Sequence, residues 1–551
     1  GGTVSGDGGF VEISGKEGLV LTANADLSSR NGAYGTLLLD PTDIVIHDQA
    51  DGVQGDDGSL PDLSDATLGA VALDIGELAL ECLAFNSNLI LEATGDITIN
   101  SLTTDGSLDF IINGGGSITM TADAITPDGL GSFTMDTADT ITTQGSSLAI
   151  TGAGVTLGTL STGAGAITID SSRSVDMGPA TSASGAVSVS VDTDNNGAET
   201  LTLRGALSGS SVSLVGGANG GDTLIAPDTV NGWTVTSLNS GTLNGNGFSS
   251  FTNVTGGNLN DTFTVTGIGS ITGQFDGGAD ATGDTVDFSG APSILSLTLN
   301  GNILNIENLV GNGAASSLAA DNVANTWVVS SENDGTVAGV SFTDFSNLTG
   351  GTDTDDFTFS GGTLTGTLNG GAGVNSLTAN NAANSWNILS ANGGNIVGEI
   401  FAFSNIENMT GGNLADTFVL NTGSVSGTID GGGGTDSLAA DNVANTWTSS
   451  ANNAGAVTGV GAFLNVESLN GRNDVDTVSV ADGVGVSGTI DGGGGTDLID
   501  LSAQTAAVLV DLGGTGFVSL DGELLMVADT DLDPLPGPPT DDTISLAVAV
   551  R

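Results

Sequence analysis

Four aspartates in the second half of the chain have the residue type and spacing of a cation site. Asp436 and Asp497 close turns of the form Asp-Gly-Gly-Gly-Gly-Thr-Asp, and Asp416 and Asp476 precede them by 20 and 21 residues. Such an interval is about one coil of a stacked β-solenoid, so each pair is expected in adjacent coils. Unscreened carboxylates would repel there, and Ca²⁺ would relieve the repulsion. The alternative is that each aspartate bonds the backbone of its own turn, with glycine supplying positive φ.

The same glycine-rich turns resemble the calcium-binding nonapeptides of repeat toxins. The resemblance is carried by residues 431–438 and 492–499, which read GGGGTDSL and GGGGTDLI. In that family consecutive copies stack and hold each ion between neighbouring turns, whereas these two copies are 61 residues apart. The resemblance makes Ca²⁺ the single cofactor that the sequence suggests.

Four tryptophans recur through the second half of the chain, at Trp233, Trp327, Trp386 and Trp447. Aromatic rings in a row can stack on sugars. One ring every ~60 residues, however, would place the rings about three coils apart, or ~14 Å at an inter-strand spacing of ~4.8 Å. The spacing therefore favours a repeated packing role over a sugar-binding strip.

Catalytic chemistry has little support. His47 is the single histidine and Cys82 the single cysteine. The sequence therefore gives no support for a Ser-His-Asp triad, and it lacks the His and Cys residues that usually bind zinc. A polysaccharide lyase or hydrolase built on a β-helix is the enzymatic alternative, but such sites generally need basic groups near the scissile bond. The six basic residues are scattered along the chain: Lys16, Arg30, Arg173, Arg204, Arg472 and Arg551. We therefore predict that the protein is not an enzyme.

The charge balance restricts the partners. The chain carries 64 acidic and 6 basic residues, a formal net charge of −58. Nucleic acid and anionic membrane surfaces both require clustered Lys and Arg, so neither is an expected partner. No apolar run approaches the ~20 residues of a membrane span, and we expect no membrane insertion.

The elements that would position these residues are short strands. Gly contributes 89 of 551 residues and aromatic residues only 4%, so the core is expected to be many thin aliphatic layers. Between residues 89 and 217 a small unit with apolar residues two apart returns every ~15–21 residues, about one coil, and from residue 222 units of ~60 residues follow. The pattern predicts an all-β fold, a right-handed parallel β-helix forming one elongated solenoid of roughly 25 coils.

The first 50 residues resemble the filamentous-haemagglutinin-like large exoproteins, the secreted partners of bacterial two-partner secretion systems. The resemblance rests on GGFVEISGK at residues 8–16 and GTLLLDPTDIVI at residues 35–46. It implies a right-handed parallel β-helix, an outer-membrane secretion partner, and a role in adhesion, biofilm structure or effector delivery. The family's N-terminal secretion domain does not precede this segment, so we expect a longer precursor.

Composition divides the chain into five segments. Residues 1–47 are exoprotein-like coils, 48–88 an irregular insert with a short helix expected within residues 66–83, and 89–220 the short-repeat β-helix. Residues 221–505 hold the ~60-residue repeats, and 506–551 a Pro-rich linker with an isolated strand.

The expected function is that of a secreted bacterial surface protein acting in adhesion or the biofilm matrix, with an unidentified surface ligand. The alternative is a subunit of an extracellular filament that assembles end to end. In that version the C-terminal strand docks on a neighbouring copy; the other possibility for this strand is that it covers its own end of the β-helix. The residues expected to mediate such assembly are Thr543, Ile544, Leu546, Val548 and Val550.

Overall fold

The protein is described by a computed structural model. It covers residues 7–15, 27, 29, 32–48, 72–84, 87–110, 116–124, 129–279, 283–292, 296–313, 316–505, 507–511, 517–519, 522–525 and 545–547. The chain is 52% strand and 1% helix, and many of its strands pair in parallel in long sheets. The predicted all-β class is confirmed.

Two units are distinguished by their internal packing. The first comprises residues 1–292 and 303–306, and the second comprises residues 293–302 and 307–551. Each unit contains its own stacked sheets.

The first unit has three sheets, here named 1A, 1B and 1C. Sheet 1A stacks Phe10–Gly15, Thr36–Pro41, Asn88–Glu92, Ser117–Thr121, Ser147–Gly152, Ile167–Ser171, Val187–Ser190, Val212–Val215, Asn246–Ser249, Ser240–Leu243, Gly232–Ser237, Thr262–Thr266 and Thr285–Gly290. Sheet 1B stacks Ala72–Gly76, Asp43–His47, Ile97–Ile99, Phe133–Met135, Val155–Leu157, Val175–Met177, Thr200–Leu203, Thr223–Ile225, Asn253–Thr255, Phe275–Asp276 and Ile303–Leu304. Sheet 1C stacks Ser107–Phe110, Thr140–Thr143, Thr159–Gly163, Ala180–Ser182 and Leu207–Ser208.

Side-chain alternation builds these sheets. Along Thr36–Pro41 and Asn88–Glu92 every second residue is buried, and the two strands pair in parallel with Leu37 beside Leu89. Because strand side chains alternate between faces, one column of leucines points inward, and the outward column mixes polar side chains with Leu38 and Ile90. The short units of the sequence are strands as predicted, but they belong to two different sheets: Ile97–Ile99 lies in sheet 1B and Ser117–Thr121 in sheet 1A.

Among the described residues of the first unit there is one helix, Glu77–Ala84, which interrupts the sheets and contains Cys82. It starts later than the helical run expected from the sequence, because Ala72–Gly76 forms a strand of sheet 1B. The helix packs against Ser107–Phe110, the terminal strand of sheet 1C, and the Asp109 N–H donates to Glu81 Oε1 at 2.5 Å. A helix at this place covers backbone donors that an open sheet edge would expose.

The second unit has two long sheets and one small sheet, here named 2A, 2B and 2C. Sheet 2A stacks Asn308–Val310, Val340–Thr343, Asp334–Val337, Asn325–Ser331, Asp355–Phe359, Ser376–Thr378, Asn408–Gly412, Val425–Gly432, Val460–Leu464, Ala454–Val457, Thr446–Ala451, Thr477–Val480, Leu498–Asp500 and Ser545–Ala547. Sheet 2B stacks Ser296–Thr298, Ser317–Ala319, Asn347–Thr349, Leu364–Asn369, Ile400–Ser404, Gly393–Ile396, Ser385–Ser390, Thr417–Leu420, Ser437–Ala439, Ser468–Asn470 and Ile490–Asp491. Sheet 2C contains Phe517–Ser519, Ala507–Asp511 and Gly522–Leu525.

Each tryptophan lies in the first strand of a three-stranded antiparallel meander, and these meanders are inserted among parallel strands. In the best-preserved repeat Trp327 pairs with Val337, and Val337 pairs in turn with Val340. The sequence analysis did not anticipate these hairpins. It also missed that the repeats alternate between sheets, since Trp327 and Trp447 lie in sheet 2A and Trp386 in sheet 2B.

Candidate functional site

The most distinctive polar feature of the second unit is a set of buried aspartates and asparagines at the starts of strands. Asp355 begins the strand Asp355–Phe359, and Asp416 directly precedes Thr417–Leu420. Their side chains are 0% and 1% exposed. Buried carboxylates need hydrogen-bond donors. Asp355 and Asp416 both accept a backbone amide proton from the neighbouring layer, and Asp355 Oδ2 also accepts the N–H of Gly351 in its own turn at 2.7 Å.

One ladder of such bonds contains two of the aspartates that the sequence analysis selected. The N–H of Asn384 donates to Asp416 Oδ1 at 2.6 Å, and the N–H of Asp416 donates to Asp436 Oδ1 at 2.7 Å. The N–H of Asp436 donates to Glu467 Oε2, also at 2.7 Å. The structure therefore brings Asp416 and Asp436 into adjacent layers, and each carboxylate accepts an amide proton from the layer before it.

A second ladder contains the other predicted pair. The N–H of Asn445 donates to Asp476 Oδ1 at 2.7 Å, and the N–H of Asp476 donates to Asp497 Oδ1 at 2.9 Å. The carboxylates bond the backbone, as in the alternative stated for these turns, but the backbone belongs to the neighbouring layer and not to their own turn. The aspartates thus fasten successive layers at a fixed register.

A third ladder was not recognised in the sequence. The N–H of Asp355 donates to Asn375 Oδ1 at 2.9 Å, and the N–H of Asn375 donates to Glu407 Oε2 at 2.8 Å. Glu407 also accepts a bond from Asn392 Nδ2 at 2.9 Å. The signal was available, because Glu407 and Glu467 occupy the same place in consecutive repeats, and Asn375 stands where the next repeat has Asp436.

Asn375 and Asp436 occupy equivalent positions with different chemistry. Asn375 Nδ2 donates to the carbonyl oxygen of Asn405 at 3.1 Å. At the other site, Asp436 Oδ2 is buried and has no hydrogen-bond partner. A Cβ at Gly431 would lie 2.6 Å from Asp436 Oδ2 and 2.1 Å from the carbonyl oxygen of Asn465, and a Cβ at Gly370 would lie 2.7 Å from Asn375 Nδ2 and 2.1 Å from that of Asn405. Unprotonated Asp436 therefore has an acceptor at the place where Asn375 has a donor.

The electrostatics follow from this burial. Burial raises the pKa of Asp436 to about 6, the amide hydrogen bond from Asp416 lowers it, and the carboxylates of Glu467, Asp416 and Asp430 raise it again. Burial likewise raises the pKa of Asp476 to about 6. A proton on these groups is therefore favoured by the fold, because it supplies the missing donor and removes a buried charge.

The tryptophans form aromatic pairs inside the same layers. Trp327 stacks on Phe357 with ring centroids 5.4 Å apart, and Trp386 stacks on Phe418 at 5.2 Å. All four indoles are at most 1% exposed, which excludes a sugar-stacking strip and agrees with the predicted packing role. In the last repeat the pair is incomplete, since Trp447 lies beside Val478 where the other repeats have phenylalanine.

The calcium hypothesis for the predicted aspartates remains a prediction. Within the described residues no group of three or more His, Cys, Asp or Glu side chains could hold a metal ion. Asp416, Asp436 and Asp476 each use Oδ1 to accept a backbone amide proton, an arrangement that serves an anion and does not build a cage of oxygen ligands.

The predicted assembly strand is described only in part. Thr543, Ile544, Val548 and Val550 lie outside the described residues. Leu546 lies in the strand Ser545–Ala547, which pairs in parallel with Leu498–Asp500 of the same chain. This pairing corresponds to the version in which the strand covers its own end.

No model of a known protein family matches this sequence, and no curated protein matches it either. Among the described residues, no helix is long and apolar enough to cross a membrane.

Proposed function

We propose that this chain is a secreted bacterial surface protein, a right-handed parallel β-helix that acts in adhesion or in the biofilm matrix. Long stacks of parallel strands support the β-helix, because a coil that returns to the same sheet after two or three strands produces parallel pairing. The inter-layer ladders support a structural role, since they commit the most unusual polar groups of the repeats to holding layers together.

The N-terminal resemblance gives a second line of support. The two exoprotein-like phrases form Phe10–Gly15 and Thr36–Pro41, which pair in parallel register with Phe10 beside Thr36 and Ile13 beside Leu39. This parallel pairing supports the proposal that the two phrases are successive coils of a β-helix. We therefore include export through an outer-membrane secretion partner in the proposal.

The observation that carries the adhesive role is a repeated apolar point on the surface. Three turns that precede a buried strand-opening residue present an aliphatic side chain, with Val323, Leu414 and Val443 exposed by 54%, 51% and 47%. Each lies two residues before a buried Asn or Asp of a ladder. Val323 and Val443 stand at the same place two repeats apart, four residues before Trp327 and Trp447, and Leu414 stands four residues before Phe418. Exposed aliphatic residues at several turns supply weak contacts, and weak contacts that act together give avidity.

The experiment compares adhesion of purified protein to biofilm of the producing organism. A triple variant, Val323→Ser, Leu414→Ser and Val443→Ser, removes the repeated apolar points. The matched control changes three exposed leucines outside these turns, Leu238, Leu389 and Leu464, to serine. We expect retention to fall in the first variant only; equal retention of both variants and the unmodified protein would refute the adhesive role.

A filament subunit is the second candidate; the strand Ser545–Ala547 covers Leu498–Asp500 of its own chain, so docking requires this strand to exchange between copies. A parallel edge contact through one short strand is a contact that a second copy can also supply. Negative-stain micrographs should show filaments that disappear when residues 532–551 are removed. Filaments of unchanged length after this deletion would contradict strand docking.

A further inference from the structure

A loop in the first unit carries a pattern that the repeats do not share. Residues 192–197 read Asp-Thr-Asp-Asn-Asn-Gly and connect the strands Val187–Ser190 and Thr200–Leu203. The pattern Asp-x-Asp-x-Asn-Gly provides oxygen ligands at its first, third and fifth positions, and glycine at the sixth allows the sharp turn of calcium-binding loops. Gly197 has φ 154°, and Asn195 is left-handed with φ 55°.

The loop folds so that its polar side chains converge. The N–H of Asn196 donates to Asp192 Oδ1 at 2.7 Å and lies 3.1 Å from Asp194 Oδ1. The N–H of Asn195 donates to the carbonyl oxygen of Asp192 at 2.9 Å. Both carboxylates therefore face the same small turn.

An independent observation points to a ligand in this turn. Asp192 is 0% exposed, and its Oδ2 has no hydrogen-bond partner. This oxygen lies against Gly217 of the next layer, where a Cβ would approach it to 1.9 Å. A buried carboxylate oxygen without a donor is costly, and the loop supplies no proton donor for it.

The charges around Asp192 are all negative. Burial raises the pKa of Asp192, the hydrogen bond from Asn196 N–H lowers it, and the carboxylates of Asp222 and Asp194 raise it again. Asp222 cannot supply a donor, because its two oxygens accept the N–H groups of Glu199 and Gly217 at 2.8 and 2.6 Å. The charged groups that act on the pKa of Asp192 are therefore both carboxylates.

We propose that this loop binds one Ca²⁺ ion through the Asp192 and Asp194 carboxylates, the Asn196 side-chain oxygen and the Ala198 carbonyl oxygen. The site is independent of the proposed adhesive role and of the ladder aspartates. It uses two carboxylates together with neutral oxygens, which is the donor set that a hard divalent cation prefers.

The loop lacks one ligand of the complete calcium-binding pattern, and this lowers the affinity that we expect for Ca²⁺. The twelfth position, which supplies a bidentate Glu in the complete loop, is Leu203. Glu199, the nearest acid on that side, accepts a hydrogen bond from Ser174 Oγ at 2.7 Å. Water must complete the coordination, so we expect a dissociation constant of about 10⁻⁴–10⁻³ M, the weak end of the range for calcium loops.

The test is calorimetric titration of CaCl₂ into the chelator-treated full chain. We expect one binding event near the stated constant, weakened at least ~10-fold in both Asp194→Asn and Asn196→Ala, because each removes a first ligand of an already incomplete set. The control is Asp353→Asn, an exposed loop aspartate of the second unit, which removes the same charge and should bind Ca²⁺ unchanged.

Hydrogen exchange provides a measurement that needs no variant. Addition of CaCl₂ should slow exchange in a peptide that covers residues 192–199, and MgCl₂ at the same concentration should have less effect because Mg²⁺ dehydrates reluctantly. The proposal is overturned if the unmodified chain gives no binding heat and no protection of this peptide. It is also overturned if both loop variants bind as tightly as the unmodified chain.

Discussion

Replacing Asp436 by asparagine tests the reading of the inter-layer ladder most directly. The protein already contains an asparagine at the equivalent position of another repeat: Asn375 donates a hydrogen bond from Nδ2 to the Asn405 carbonyl oxygen. Asp436→Asn would place Nδ2 where Oδ2 now lies against the Asn465 carbonyl oxygen. We expect the variant to be more stable than the unmodified chain at pH 7.5.

The magnitude follows from linkage. The pKa of Asp436 rises from its ordinary 3.8 to about 6. A raised folded-state pKa means that the protonated acid stabilises the fold fully below about pH 3.8, and that this contribution is lost as the pH rises through about 6. At 1.36 kcal/mol per pKa unit the contribution is at most about 3 kcal/mol. Asparagine keeps the donor at every pH, so the gain is about 1–3 kcal/mol at pH 7.5 and about half as large at pH 5.

The assay is urea unfolding followed by tryptophan fluorescence at pH 7.5 and pH 5. Two matched variants separate the ladder from general charge effects in a chain of net charge −58. Asp353→Asn removes one exposed charge and should change stability little, whereas Asn375→Asp creates a second unpaired acid and should destabilise the chain more at pH 7.5 than at pH 5. A loss of stability in Asp436→Asn at pH 7.5, or a gain that does not depend on pH, would refute the reasoning.

Three further substitutions test the packing of the repeats, each by the same unfolding measurement. Trp386→Ala should cost about 3–5 kcal/mol, because it empties a fully buried aromatic site; a cost below 1 kcal/mol would contradict the stacking role. Val478→Phe should add about 0.5–1.5 kcal/mol by completing the pair with Trp447, as Phe418 does for Trp386, and a loss would show that the layer has no room. Gly351→Ala should cost about 1–3 kcal/mol, because its Cβ would lie 2.0 Å from the Asp321 carbonyl oxygen; unchanged stability would mean that the turn can move.

Much of the polar architecture was readable from the repeats. The Asp416–Asp436 and Asp476–Asp497 spacings correctly predicted neighbouring layers, because the strands that follow these residues pair in parallel with an offset of 20 or 21 residues. The partner of each carboxylate was not readable. The local sequence around an aspartate is the same whether its carboxylate accepts a backbone amide proton or binds a cation. Only the position of the neighbouring layer relative to the carboxylate distinguishes the two cases.

One of the hairpins has a turn sequence that predicts it, whereas the corresponding hairpin of the best-preserved repeat does not. Asn244-Gly245 joins two antiparallel strands with φ of 51° and 84°, the conformation that Asn-Gly turns favour. In the best-preserved repeat the corresponding turn is Ala338-Gly339, with φ of 50° and 88°. The alanine carries no such signal, so packing of the meander holds the turn in a left-handed conformation that local propensity disfavours.

By itself the sequence determined the all-β class, the burial of one face of each strand and the repeat length, because residue alternation and turn chemistry are local properties. Tertiary structure alone decided which sheet each repeat joins, with Trp386 in sheet 2B and Trp327 in sheet 2A, because the same alternating pattern suits either sheet. It also decided that Asp436 Oδ2 and the Asn465 carbonyl oxygen both lie near Gly431, and that Asp192 Oδ2 lies near Gly217. Such environments come from residues tens of positions away, and no local pattern contains them.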